Sequence, residues 1–217
     1  MEKILVTGAT GFLGSYVIRE LLERGKSVIA TSQDQKKAQT FDWFPQVSYI
    51  PFNIQGQIEG VNYFDFFQCP DRLIHLAWEG LPNYHQNFHL EQNLIFHKSF
   101  LQSLIAGGLR DVTVAGTCLE YGLVEGCLSE QMTVEPTTAY GKAKNLLRTF
   151  LQDLHKNYSF GLKWVRLFYL YGERQSSKSL ISQLKEAIKK GEQKFNMSGG
   201  QQIRDFLDVN LAAEYLV

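Results

Sequence analysis

Two side chains near the middle of the chain have the types and spacing for acid–base work: Tyr140 and Lys144, in the run AYGKAK. Residues four apart share one face of a helix, so a phenol and an ammonium placed this way converge on one spot. A nearby cation favours the phenolate and is expected to lower the tyrosine pKa from its usual value of about 10. Tyr140 would then exchange a proton with a hydroxyl or carbonyl near neutral pH. Taken alone the pair is common, and an ordinary exposed tyrosine and lysine carry the same signature. A second group of residues lies at the N-terminus, where Gly8, Gly11 and Gly14 are spaced G-x-x-G-x-x-G. Glycines at that spacing permit a tight turn and let backbone approach a pyrophosphate, while the following helix turns its free N–H groups toward the phosphates.

Both groups need elements to hold them, and the surrounding pattern supplies these. Lys3 to Thr7 (KILVT) reads as a strand buried on both faces, and Ser15 to Glu23 has helical spacing with Gly25 as its stop. Ser27 to Thr31 is a second buried strand, so the glycines sit between strand and helix, as dinucleotide binding requires. Further strands are expected at Val47 to Phe52, Arg72 to Ala77, Asp111 to Ala115 and Lys163 to Phe168. Long helices are expected at Asn87 to Gly107 and Thr138 to Tyr158, with a shorter one at Lys178 to Lys190. Strands alternating with helices predict an α/β fold, a Rossmann-type doubly wound parallel sheet. Asp208 to Val217 begins a helix and stops inside it, so the C-terminal region reads as small and truncated. The expected division is a dinucleotide-binding domain over residues 1–171 and a partial substrate-binding region, not independently folded, over 172–217.

The bulk properties narrow the classes. The 217 residues are 44% hydrophobic and 20% charged, with 22 basic and 22 acidic side chains. A net charge of zero argues against a broad grip on nucleic acid or an anionic membrane. Cys69, Cys118 and Cys127 form neither a disulfide framework nor a zinc pattern, and a reducing cytoplasm fits them best. No run approaches the roughly 18 apolar residues of a membrane span.

The string TGATGFLG, followed far downstream by Tyr140 and Lys144, resembles the extended, sugar-nucleotide-modifying branch of the short-chain dehydrogenase/reductase superfamily, the NAD(P)-dependent epimerases and dehydratases. The resemblance runs over nearly the whole chain. It implies that Gly8, Thr10, Gly11, Phe12, Leu13 and Gly14 form the cofactor turn. In the segment GTCLEYG it places Thr117 where the family has a Ser or Thr that hydrogen-bonds the substrate oxygen served by Tyr140. The other reading of Thr117 is a strand-end hydroxyl that caps local backbone. The family's 4,6-dehydratases carry Asp and Glu directly after this Thr. Here Cys118 and Leu119 stand there, with Glu120 one residue too late, so dehydration is disfavoured. Cys118 is expected to be a small buried filler.

The resemblance also orders the rest of the site. NAD-binding members end the second strand with an acidic residue that holds the adenosine ribose. Ser32 occupies that place, with Lys36 and Lys37 beyond it, which points to NADP(H), with NAD as the alternative should Asp34 reach the ribose. Asn53 and Ile54 correspond to a pair near the adenine, Leu76 and Ala77 to the strand end beside the cofactor ribose. His75 is expected to be a packed core residue. Trp78 and Glu79 replace small residues and either narrow the site or pack. Tyr169 replaces a usual Asn. Arg204 corresponds to the arginine that binds the substrate diphosphate, the other reading being a surface salt bridge to Asp205 or Asp208.

The implied function is NADPH-dependent reduction of a nucleoside-diphosphate 4-keto-6-deoxy sugar, with Tyr140 as the acid, in the synthesis of polysaccharide sugars. The alternatives are an NAD-dependent nucleotide-sugar 4-epimerase and a non-catalytic NAD(P)-binding protein. Homodimerisation through the two long helices is implied by the resemblance. No metal site is expected.

Overall fold

The computed structural model describes residues 2–217. Six parallel strands form the main sheet: β1 (Lys3–Thr7), β2 (Ser27–Thr31), β3 (Ser48–Tyr49), β4 (Arg72–His75), β5 (Asp111–Thr117) and β6 (Gly161–Leu167). Their spatial order is β3-β2-β1-β4-β5-β6. The chain therefore works outward from β1 in one direction and then returns to β1's other side, which leaves a crevice at the carboxyl ends of β1 and β4, where open α/β sheets bind ligands.

Side-chain alternation along the strands divides the core into two layers. Leu5, Ile29, Leu73, Val112 and Val114 face one side, where they pack with Phe100, Leu101 and Leu104 of α4 (Leu94–Gly107) and Leu147 and Leu151 of α5 (Ala139–Leu154). Ile4, Val6, Val28, Ala30 and Ile74 face the other, against Val17, Ile18 and Leu21 of α1 (Phe12–Glu23). Two four-residue helices, α2 (Gln35–Ala38) and α3 (Tyr63–Phe66), lie in the connections.

The expected strand from Val47 to Phe52 shrinks to Ser48 and Tyr49. Pro51 has no N–H for the ladder, and past Tyr49 the pairing persists only as single bonds from Ile50 N to the Ala30 carbonyl and from Phe52 N to the Ser32 carbonyl. The expected helix at Asn87 opens instead as one π-helical turn, His89–Asn93, that runs into α4. Beyond β6, the three-residue strands β7 (Tyr169–Tyr171) and β8 (Phe206–Asp208) pair in parallel as a separate small sheet, with α6 (Leu180–Lys189) between them. The last helix, α7 (Val209–Leu216), is capped by Asp208 and buries Ala212, Ala213 and Leu216, the last two beside α1. The guanidinium groups of Arg24 and Arg72 hold carbonyls of its final turn.

Candidate active site

The glycine turn fills the crevice between β1 and β4. Gly8 has φ of +72° and a Cβ there would lie 2.8 Å from the Ala77 nitrogen, so only glycine fits. A Cβ on Gly14 would strike the Gly8 carbonyl, which explains the third glycine as close packing of α1 on the turn. The N-cap of α1 is Gly11, with no side-chain cap and no acidic residue in the first turn. Its first N–H groups, at Phe12, Leu13 and Gly14, thus have no side-chain acceptor and suit an anion. The donor set fits a pyrophosphate. Beside the turn, Gln33 donates to the Glu79 carboxylate, joining the strand ends on either side of β1. Asn53 caps a short turn through Gln55 N at 3.0 Å, and Ile54 behind it is buried.

Thr117, Tyr140 and Lys144 converge at the carboxyl end of β5. Gly141 allows this, because a Cβ on it would sit 2.6 Å from the Leu119 carbonyl where α5 crosses the turn after β5. Thr138 caps α5 through Gly141 N at 3.0 Å, and the Tyr140 amide donates to the Tyr84 carbonyl at 2.9 Å. The Thr117 hydroxyl accepts from Leu119 N at 3.3 Å, and its backbone N–H is held by the wholly buried Glu120. Glu120 in turn accepts from Trp164 Nε1 and Arg166 Nε, both at 3.0 Å. That carboxylate is committed to structure, which adds a physical reason against elimination chemistry.

The expected depression of the tyrosine pKa is absent. Burial is the main cause that pushes the Tyr140 phenol above its usual value, helped by nearby Tyr84 and Glu120 and opposed by the Thr117 hydroxyl. The same burial pulls Lys144 down to about 7, against the pull of Glu120. Lys144 Nζ donates to the Ala115 carbonyl at 2.8 Å and lies 4.0 Å from the Trp78 ring centroid, but 5.9 Å from that of Tyr140. Its charge is directed at strand backbone and indole, not at the phenol.

Sequence reasoning passed over an aromatic and histidine cluster behind this pair. Thr7 Oγ1 accepts from the Leu76 and Ala77 amides, so its own hydrogen goes to His75 Nδ1 at 2.8 Å. His75 is then the Nε2–H tautomer and donates to His97 Nδ1 at 2.8 Å. Both imidazoles are fully buried, and desolvation lowers His75 to about 3. His75 is a core residue, as expected, but a hydrogen-bonded one. The one signal in the sequence is the H-x-x-x-x-x-x-x-H spacing from His89 to His97, and both rings lie against the Trp78 indole.

Beyond β6, pairing of β7 with β8 brings Arg204 to Tyr169. The guanidinium donates to the Tyr169 hydroxyl and to Gln202 Oε1, and bonds neither Asp205 nor Asp208. Burial raises the Cys118 thiol, opposed by the Thr117 hydroxyl and the Arg204 charge, and burial raises Tyr84, helped by Cys118 and Tyr169. Tyr84, Tyr169, Cys118 and Arg204 are therefore neighbours around the mouth beside Tyr140. Tyr84 was not anticipated, because it arrives on an irregular loop.

A family model described as the NAD dependent epimerase/dehydratase family matches residues 4–217. The chain belongs to that family. Its membership makes it an NAD(P)-dependent enzyme of the oxidoreductase and epimerase kind. The family enzyme is 30% identical over 207 residues to a dTDP-6-deoxy-L-talose 4-dehydrogenase (NAD(+)) of Aggregatibacter actinomycetemcomitans, covering 95% of this chain and 75% of the relative. It superimposes on MoeE5 in complex with UDP-glucose and NAD with a TM-score of 0.80 at 25% identity, covering 99% of this chain and 70% of that one. A UDP-N-acetylglucosamine 4-epimerase from Methanobrevibacter ruminantium M1 shares the fold, with a TM-score of 0.84 at 21% identity, over 98% of this chain and 71% of that one. Among the described residues no helix is long and apolar enough to cross a membrane.

Proposed function

We propose that the enzyme is an NAD(H)-dependent oxidoreductase that interconverts a hydroxyl and a ketone at C4 of a nucleoside-diphosphate 6-deoxyhexose. The observation that carries this is the convergence of Thr117, Tyr140 and Lys144 beside the uncapped N-terminus of α1, in a chain 30% identical to a 4-dehydrogenase of that substrate class. A nicotinamide dinucleotide would supply or take the hydride. Tyr140 is protonated at neutral pH and hands its proton to the C4 oxygen during reduction. Thr117 orients that oxygen, Lys144 holds the cofactor ribose, and Leu76 and Ala77 line the ribose wall. Arg204, residues 172–217 around it, Tyr84 and Tyr169 form the substrate side, with the guanidinium set for the diphosphate.

The cofactor inference follows from Ser32. Its hydroxyl lies 2.9 Å from the Tyr49 hydroxyl, which itself donates to the Ser32 carbonyl. The Ser32 hydrogen is thus committed to Tyr49, and what Oγ offers is a lone pair. A ribose hydroxyl can donate to it, whereas the oxygens of a 2′-phosphate cannot. Asp34 is occupied in capping α2. We therefore favour NAD(H) over the NADP(H) expected from the sequence. The free thiols fit a reducing cytoplasm. The exposed Ile95 and Leu146, on α4 and α5, fit a homodimer through those helices.

The test is a fluorescence titration with NADH and NADPH, followed by turnover on nucleoside-diphosphate 4-keto-6-deoxyhexoses. Tighter NADH binding with net NADH oxidation supports the proposal. Preference for NADPH restores the first expectation for the cofactor. Co-purified NAD with no net redox change indicates a 4-epimerase, and binding without turnover a non-catalytic protein.

A further inference from the structure

Trp78 stands where the family resemblance calls for a small residue, and its surroundings give that departure a purpose. The indole stacks on His97, with centroids 4.5 Å apart and planes at 20°. Its N–H donates to His89 Nδ1 at 3.1 Å. That nitrogen also faces the Asn93 amide, so His89 carries its hydrogen on Nε2 and donates it to the Asn83 carbonyl at 3.1 Å. The ring is thereby fixed in position and tilt by two imidazoles. Tyr140 meets it edge to face at 5.8 Å, and the Lys144 ammonium lies 4.0 Å from its centroid.

Lys144 has few other partners for its charge. It is 2% exposed and makes one hydrogen bond, to the Ala115 carbonyl. The groups facing it are His75 on β4, His89 in the π-turn, His97 on α4, Tyr140 on its own helix and Glu120 after β5. The three imidazoles are held neutral by burial and hydrogen bonding. Glu120 attracts the ammonium through space but gives its oxygens to Thr117, Trp164 and Arg166. The negative face of the indole is what remains in contact.

We propose that Trp78 is a positioning residue for Lys144: its indole face is the counter-surface that holds the ammonium one helical turn from Tyr140. The inference rests on the nicotinamide-dinucleotide reading above. A desolvated cation–π contact is large enough to shift the Lys144 titration by about one pH unit.

The experiment measures the dissociation constant of NADH from pH 5.5 to 9 (by NADH fluorescence) for the native chain and for Trp78→Phe, Trp78→Leu, Trp78→Met and Lys144→Met. In the native chain, binding is expected to weaken as pH rises through the Lys144 value of about 7. Trp78→Leu should move that midpoint down by about one unit, Trp78→Phe by less, and Lys144→Met should remove it. Trp78→Met fills similar space without a π-face and serves in place of the leucine variant if that one does not fold. An unchanged midpoint in the leucine or methionine variant, with affinity lowered evenly at every pH, overturns the proposal and leaves Trp78 a packing residue. Native binding that does not vary with pH overturns it as well. No NADH binding by the native chain at any pH instead sinks the cofactor reading, and the inference with it.

Discussion

The carboxylate of Glu120 holds the backbone N–H of Thr117 at 2.8 Å, while the Thr117 hydroxyl accepts from the turn that carries Glu120. The two residues cap one another, and the last residue of β5 is fixed by the pair. Arg166 lies 3.0 Å from the same carboxylate, and both side chains are nearly inaccessible. Removing one partner of such a pair leaves the other charge buried. Glu120→Ala is therefore expected to cost about 3–5 kcal/mol, read from the urea unfolding midpoint. Thr117 should lose its aim, so kcat should fall more than KM rises in whatever fraction stays folded.

Tyr140→Phe removes the proposed proton donor and nothing else of size. Turnover should drop by roughly 10²–10⁴-fold, while NADH binding and the unfolding midpoint stay near native values. An unchanged kcat would exclude Tyr140 as the acid. Because burial raises its pKa above the usual range, the phenol remains protonated across neutral pH, and the reductive direction has its acid in hand. The oxidative direction needs the phenolate and should accelerate as pH is raised, which initial rates in both directions would show.

Gly14→Ala should abolish dinucleotide binding in isothermal titration. Its methyl group meets the Gly8 carbonyl, and no flexible side chain is there to yield. Gly25→Ala is the control. It has φ of +67° but open space around it, so it should cost about 1 kcal/mol of stability and leave binding intact.

Acid should weaken the fold well before its carboxylates are protonated. An unfolded histidine binds a proton below about pH 6.5, whereas buried His75 refuses it until about pH 3. Between those values the unfolded state holds more protons, so stability rises with pH and falls on acidification. The slope is about 1.4 kcal/mol per pH unit for each histidine so held, and His97 is lowered in the same direction. Urea midpoints from pH 7 to 4.5 would measure it, and His75→Asn should flatten the curve.

How far each feature could be read in advance depended on how local its cause is. Strand β1, the three glycines and α1 follow from adjacent residues, and the Tyr140–Lys144 face follows from one helical period. The sheet order then places Thr117 beside them. The pKa directions could not be read this way, because they depend on what buries α5, namely Trp78 from one loop, Tyr84 from the same loop and the imidazoles of another element. The strands β7 and β8 are three residues each and owe their existence to one another across the sequence. Ser32 follows the end of β2, as the local pattern predicts, but the partner that decides what its hydroxyl offers, Tyr49, lies on a neighbouring strand.

The pairing of α7 with α1 has a mechanical consequence. The N-terminus of α1 is the glycine turn, and α7 leads back through Asp208 into β8 and so to Arg204. Ala213 lets the two helices lie close, and Arg24 and Arg72 pin the far end of α7. The two elements proposed to bind anions are thus mounted on one packed pair of helices. On the proposed function, the spacing between a dinucleotide at one and a sugar diphosphate at the other is set by helix packing, like two jaws cut from one bar, and a bulky side chain at Ala213 would change the gauge of the site without touching either ligand.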